Sequence, residues 1–119
     1  MIRIRAIAIG LLAFCSTLDV ALAHSKMATS EPLEGAIAKP GLAEIKLGFS
    51  KPVRLMLVKV IDVASKSEIA VKLGPDTTSK TQFPLEVPPL GAGLYEVNWT
   101  AVAEDGHVMK GMLSFRVAT

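Results

Sequence analysis

Two histidines and one aspartate stand out as side chains whose types and positions could bind a metal ion. His107 follows Asp105 with one residue between them. In an extended chain residues i and i+2 point to the same side, and Gly106 would permit a tight bend between the two. The pair could therefore converge on one ion. A rim histidine hydrogen-bonded to its neighbouring carboxylate also fits this spacing, and on spacing alone it is the more frequent arrangement.

The other histidine, His24, directly follows a segment with the pattern of a secretory signal peptide. Residues 1–23 combine Arg3 and Arg5 with a short apolar run at 7–14 and a small-residue cleavage pattern at 21–23. Cleavage there would leave a mature secreted domain of residues 24–119 that begins with His24. The alternative is a short membrane anchor, but the apolar run is brief for a bilayer span. We therefore expect no membrane insertion of the mature domain.

Such processing would give His24 two nitrogen donors, its new α-amine and its own ring, which can close a six-membered chelate through Nδ1. With Asp105 and His107 they make a set of three nitrogens and one oxygen. Nitrogen and oxygen donors in a tetragonal plane suit Cu(II), whereas Zn(II), the main competitor, prefers a tetrahedron. We expect one Cu(II) ion per chain at this set. The alternative is that the cleavage site precedes a histidine by coincidence.

Sulfur ligands, which would favour Cu(I), are few. The single cysteine, Cys15, lies in the signal segment, so the mature domain has neither thiolate chemistry nor disulfides. Four methionines of the mature domain are scattered rather than clustered, and packing is the simpler explanation for each. They are Met27, Met56, Met109 and Met112.

The mature domain has the pattern of a single all-β unit. Short apolar runs are separated by Gly and Pro, and no stretch keeps a helical apolar period for three turns. The runs predict about seven strands near residues 24–30, 42–49, 53–63, 68–73, 81–87, 94–103 and 107–117. Regular spacing of this kind is typical of a Greek-key β-sandwich or barrel. Trp99 is expected in its core, and the near-balance of charges gives no sign of nucleic-acid binding.

Several segments in this order resemble the CopC family of periplasmic copper-binding proteins, over essentially all of residues 24–119. They are His24 with the Ser-Glu-Pro of 30–32, the segment 45–53, the segment 93–99, and the Glu-Asp-Gly-His of 104–107 leading to Gly111 and to 115–117. The resemblance implies a seven-stranded, cupredoxin- or immunoglobulin-like Greek-key sandwich. It also implies Cu(II) bound by the amine and ring of His24, by Asp105 and by His107.

The same resemblance implies a role in copper tolerance or uptake, often beside an inner-membrane partner of the CopD type. Some members of the family carry a second, Cu(I) site in a methionine-rich segment. This sequence has no methionine between Met56 and Met109, so we expect a Cu(II)-only member.

Two other functions fit parts of the sequence. An N-terminal histidine with a second histidine also forms the copper site of polysaccharide oxygenases, but Asp105 would occupy the open position that such enzymes need. The chain is also poor in the aromatic residues that line a flat substrate surface, at 5%. A metal-free immunoglobulin-like interaction module is the remaining alternative, because one fold hosts many functions. We expect a binding protein and not an enzyme.

Overall fold

The computed structural model describes residues 27–73 and 78–119, which form seven β-strands. The strands are β1 (Met27–Glu31), β2 (Ile37–Ala38), β3 (Leu42–Asp62), β4 (Ser67–Ile69), β5 (Lys80–Leu90), β6 (Gly93–Ala103) and β7 (Val108–Val117). They pair into one curled sheet in the order β1-β3-β6-β7-β2, with β4 and β5 also paired to β3. The all-β prediction is confirmed. Within these two ranges no helix is long and apolar enough to cross a bilayer.

The long strand β3 runs through both halves of the curled sheet. Its first half lies between β1 and β5, and its second half pairs with β6 and β4. The sequence predicted a break at residues 50–52, which is wrong, because the strand continues through Pro52 while its pairing partners change. Met27 pairs with Phe49 before this corner, and Val53 pairs with Ala103 after it. The corner therefore brings the start of β1 near the end of β6.

Alternating burial along the strands builds the core. Every second residue of β6 from Tyr95 to Ala103 is buried, as the strand's pleat requires for a half-buried sheet. Trp99 is 7% exposed, and its ring meets Phe49 edge to face with centroids 5.1 Å apart. Its predicted place in the core is confirmed. Fully buried aliphatic and aromatic side chains from β3, β5, β6 and β7 complete the core, and each contributes about 1.5–3 kcal/mol. They are Ile45, Leu47, Val53, Val60, Leu85, Val97, Leu113, Phe115 and Val117.

Three further boundaries differ from the sequence prediction. Strand β5 extends through Pro88 and Pro89 to Leu90, beyond its predicted end at residue 87, because an edge strand can accommodate residues without an N–H. Strand β4 is only three residues long. The two-residue strand β2 was not predicted, because its parallel pairing with the end of β7 leaves no periodic pattern in so short a segment.

The single tyrosine of the chain fixes the β5–β6 connection. The Tyr95 hydroxyl donates a 2.8 Å hydrogen bond to the Gly91 carbonyl, and the ring stacks on Phe115. Burial, with a smaller contribution from the charge of Asp62, raises the pKa of Tyr95 above its usual value of 10.0. The folded state therefore favours the neutral phenol.

We expect the protein to lose stability as the pH rises above about 10, where the unfolded chain's tyrosine ionises before the folded one. Tyr95→Phe should lose this part of the pH dependence and cost about 1 kcal/mol at neutral pH for the missing hydrogen bond. Because Tyr95 is the only tyrosine, tyrosinate absorbance follows it alone. A folded-state titration midpoint at or below that of the unfolded chain would contradict this expectation.

Candidate metal centre

A tight turn at residues 104–107 connects β6 to β7 and carries both described site residues. Ala103 N–H donates to the His107 carbonyl at 2.9 Å, and Gly106 N–H donates to the Ala103 carbonyl at 2.9 Å. Gly106 has φ +89°, in the left-handed region that glycine adopts without steric cost. The turn is therefore closed by its own backbone and projects from the end of a well-packed hairpin.

Asp105 and His107 form a close pair on this turn. His107 Nδ1 lies 2.7 Å from Asp105 Oδ2, and the His107 backbone N–H donates to Asp105 Oδ1 at 3.1 Å. Both side chains are about half exposed, at 61% for His107 and 49% for Asp105. The aspartate thus contacts both the ring and the backbone of His107, and the pair is open to solvent and to an arriving ion.

The separation of these two atoms is suited to neighbouring ligands of one metal ion. Nitrogen and oxygen ligands lie about 2.0–2.2 Å from a divalent transition metal, so neighbouring corners of a square plane are about 2.9 Å apart. The observed 2.7 Å is close to that separation. An ion binding here would replace the proton between Nδ1 and Oδ2, because metal ligands must be deprotonated.

The described ranges supply two donors at this site, and they contain no group of three or more histidine, cysteine, aspartate or glutamate side chains that could hold a metal. The third predicted ligand, His24, lies outside the described residues. The first described residue, Met27, begins β1 beside Phe49, near the corner where Val53 pairs with Ala103. An extended chain covers about 3.3–3.6 Å per residue, so residues 24–26 can span about 10 Å from that point.

Sequence reasoning placed Trp99 in the core but missed its partner across the ladder. Gly111 pairs with Trp99, and the indole lies over the space where a Gly111 side chain would stand. The buried Trp99 Nε1 has no hydrogen-bond partner among the residues described. The only signal in the sequence is a glycine inside a predicted strand, which often marks a close approach. Trp99 is the only tryptophan, so its fluorescence can report events near the turn.

Comparison with known proteins identifies relatives over most of the chain. A model of the CopC domain family matches residues 27–118. A copper resistance protein C from Escherichia coli is 30% identical over 107 residues, covering 82% of this chain and 83% of that protein. The copper resistance protein C of Pseudomonas syringae pv. tomato is 31% identical over 105 residues, with coverages of 82% and 83%.

Solved structures of two proteins with CopC or PcoC in their names have the fold of this chain. The crystal structure of PcoC, described as a methionine-rich copper resistance protein from Escherichia coli, matches with a TM-score of 0.60 and 29% identity, covering 80% of this chain and 99% of that one. The crystal structure of CopC from Methylosinus trichosporium OB3b has the same fold, with a TM-score of 0.67 at 22% identity and coverages of 80% and 94%. Because the model of this family matches residues 27–118, which include all seven strands, the chain belongs to the CopC domain family.

Proposed function

We propose that this protein binds one Cu(II) ion per chain in the periplasm and sequesters it or transfers it to another protein, without catalysis. The ligands are the α-amine and ring of His24, together with Asp105 and His107. The observation that carries the proposal is the 2.7 Å contact between Asp105 Oδ2 and His107 Nδ1 on an exposed turn. The copper resistance proteins among its relatives support copper as the cargo.

Several properties of the turn fit a site that binds and releases an ion. The pair is half exposed, so an incoming ligand can reach the metal. The turn is anchored by backbone hydrogen bonds and by the buried residues Ala101 and Ala103 at the end of β6, so its donors are held without rearrangement of the core. Three nitrogens and one carboxylate would fill the plane that Cu(II) prefers, which favours storage and transfer over turnover. An inner-membrane protein of the CopD type is the proposed exchange partner.

The positions of the methionines support Cu(II) rather than Cu(I) as the bound form. Met27 and Met109 pack against the core. Met56 and Met112 are exposed but lie on β3 and β7, with the whole of β6 between these strands. A Cu(I) site needs several soft sulfur ligands together, and these four methionines are divided between two faces of the sheet.

Substitutions in the turn test the proposal. Replacing His107 with alanine should weaken Cu(II) binding by about 100-fold or more, because even an outer partner of a metal ligand costs about 10–100-fold. Asp105→Ala should also weaken binding strongly, since it removes a ligand and frees the imidazole from its orientation. Electron paramagnetic resonance of the loaded chain beginning at His24 should show three nitrogens and one oxygen. Quenching of Trp99 fluorescence by the paramagnetic ion gives the affinity.

Glu104→Ala is the matched control, because Glu104 is an exposed carboxylate on the same turn. We expect it to leave the affinity and the spectrum unchanged. Equal losses in Glu104→Ala and Asp105→Ala would mean that only the charge of the turn matters. Unchanged binding in His107→Ala would contradict the proposed ligand set.

A further inference from the structure

One edge of the sheet is open directly beside the candidate metal centre. The end of β7 is covered, because Gly35 N–H donates to the Ser114 carbonyl at 2.8 Å and Arg116 N–H donates to the Ala36 carbonyl at 2.9 Å. Strand β2 then pairs with Arg116 and Val117 only. No strand of the described ranges pairs with the outer side of β7 from residue 108 to residue 113.

The alternation of the strand identifies which backbone groups this edge presents. Ser114 N–H points away from β6, because it donates to Glu34 Oε2 at 2.8 Å. Residues of the same parity in a regular strand direct their N–H and C=O the same way. The β6–β7 ladder runs from Val108 to Val117 without a register shift. The backbone groups of Val108, Lys110 and Met112 therefore face outward, as a template for another strand.

The other long edges carry features that protect against strand addition. Strand β5 contains three prolines, at 84, 88 and 89, which remove N–H donors. Strand β1 has a register shift between Met27 and Thr29 that breaks its regular pairing. Between residues 108 and 113, β7 has neither a proline nor a bulge, and Lys110 is its only charged residue. Of these three edges, that of β7 is consequently the one best suited to accept a strand.

The sheet face beside this edge is apolar and positively charged. Val108 and Met112 are 62% and 59% exposed, and Leu57, two strands away, is 47% exposed. The strand register places Leu57, Thr100 and Lys110 in one row across the face. Arg54 and Lys59 occupy the neighbouring rows on β3. We call the set Arg54, Leu57, Lys59, Val108, Lys110 and Met112 the β7 edge patch.

Carboxylates flank the patch at both ends: Glu104 and Asp105 lie on the turn before Val108, and Glu96 lies one row beyond Met112, opposite Ser114. Glu96 Oε1 accepts a 3.1 Å hydrogen bond from the Asn98 amide. The β7 edge patch itself contains three cations and no anion. The positive charge of the patch is therefore complementary to an acidic partner.

A second copy of this chain is disfavoured in the register that overlaps the two open edges fully. Antiparallel pairing of two β7 edges about a two-fold axis, with Val108 opposite Met112, would place Lys110 opposite Lys110. Like charges directly across a strand pair are destabilising. A carboxylate opposite Lys110, with apolar residues two positions away on each side against Val108 and Met112, satisfies all three side chains.

We propose that the β7 edge patch docks an extended segment of another protein by strand addition, and that this segment carries an acidic residue flanked at two-residue spacing by apolar ones. Backbone hydrogen bonds supply affinity in such complexes, and alternate side chains supply specificity. The segment would run beside Val108, the residue that follows His107. A role in copper exchange rests on the proposed function, whereas the docking itself does not require the metal.

Amide-resolved nuclear magnetic resonance of the metal-free chain beginning at His24 tests this. The probe is a capped seven-residue peptide with glutamate at its centre, valine two positions away on each side and threonine elsewhere. The matched peptide has lysine at the centre. We expect the glutamate peptide to shift the amides of Val108, Lys110 and Met112 and to slow their hydrogen exchange, and the lysine peptide to bind at least about 5-fold more weakly.

Two variants of the chain sharpen the test. Lys110→Glu should reverse the preference between the two peptides, whereas Lys66→Glu, an exposed charge change on the β3–β4 turn, should leave it unaltered. Met112→Pro should abolish binding by removing an outward N–H that no strand of the described ranges uses, with retention of the fold checked by circular dichroism.

Four outcomes would overturn the proposal. They are equal binding of the two peptides, shifts at β1 or β5 in place of β7, concentration-dependent shifts at residues 108–112 without peptide, and protection by vesicles containing anionic phosphatidylglycerol when neither peptide binds. The third outcome would identify a second copy as the occupant, and the fourth a membrane surface. All four readouts use metal-free protein, so failure of the copper proposal leaves their interpretation intact.

Discussion

A chain that begins one residue before His24 should bind Cu(II) more than about 100-fold more weakly than a chain that begins at His24 itself. This lower bound is set by outer partners of metal ligands, whose loss alone costs about 10–100-fold in affinity. The extra residue, acetylated at its own N-terminus, converts the His24 amine into an amide and supplies no new amine. The six-membered chelate is then lost, although no side chain of the protein has changed. This is the largest effect that the proposed site predicts, because one peptide bond removes a donor and its chelate together.

The comparison needs two proteins that differ only in this added residue, for which an N-acetylated glycine is suitable, because a free Gly-His terminus would itself chelate Cu(II) through its amine, the amide between the two residues and the ring. Both should have the same thermal stability without metal, because residue 24 precedes β1 (Met27–Glu31) and the fold lies within residues 27–118. Titration of Trp99 fluorescence with Cu(II) measures the two affinities, and electron paramagnetic resonance should show fewer nitrogen donors for the extended chain. Equal affinities would exclude the His24 amine as a ligand, whatever the turn contributes.

The contact between Asp105 and His107 was predictable from the sequence, but its local cause was only partly so. Residue spacing in an extended chain suggested that the two side chains share one side. In the structure they lie on a turn with Gly106 at φ +89°, and the Asp105 carboxylate also accepts the His107 backbone N–H. The turn, more than a regular strand, brings the pair together. The position of His24 relative to this pair stays a prediction.

Much of the fold was predictable because the alternation of apolar residues in the sequence matches the alternating directions of side chains along a strand. The alternation of Ile45, Leu47 and Phe49, and of residues 95–101, identified the inward faces correctly. The continuity of β3 was not predictable, because a change of pairing partner at residues 50–52 leaves the backbone extended while the sequence there shows polar and proline signals of a turn. A local pattern reports dihedral preference and burial, and it does not report which strand lies alongside.

Among the glycines of the described ranges, Gly111 is the one at which an added methyl group should destabilise the protein most. A Cβ at Gly111 would lie 2.3 Å from Trp99 Cζ2, 2.4 Å from Cε2 and 2.7 Å from Nε1. The indole cannot simply move aside, because its ring packs edge to face on Phe49 with centroids 5.1 Å apart. Overpacking of a core costs about 1–3 kcal/mol. In a domain of this size each kcal/mol lowers the melting temperature by about 4–8 °C, so we expect a decrease of about 10 °C.

Gly91→Ala is the matched control, because a Cβ at Gly91 meets nothing within 4 Å. Its free energy of unfolding should stay within about 0.5 kcal/mol of that of the parent protein, as for other surface substitutions. Trp99→Phe, which removes the ring atoms that the new methyl would strike, should restore part of the loss when combined with Gly111→Ala. A double-mutant cycle measures that coupling directly. If Gly111→Ala and Gly91→Ala were equally stable, the indole would not lie over Gly111. If the cycle showed no coupling, the damage would come from the backbone and not from Trp99.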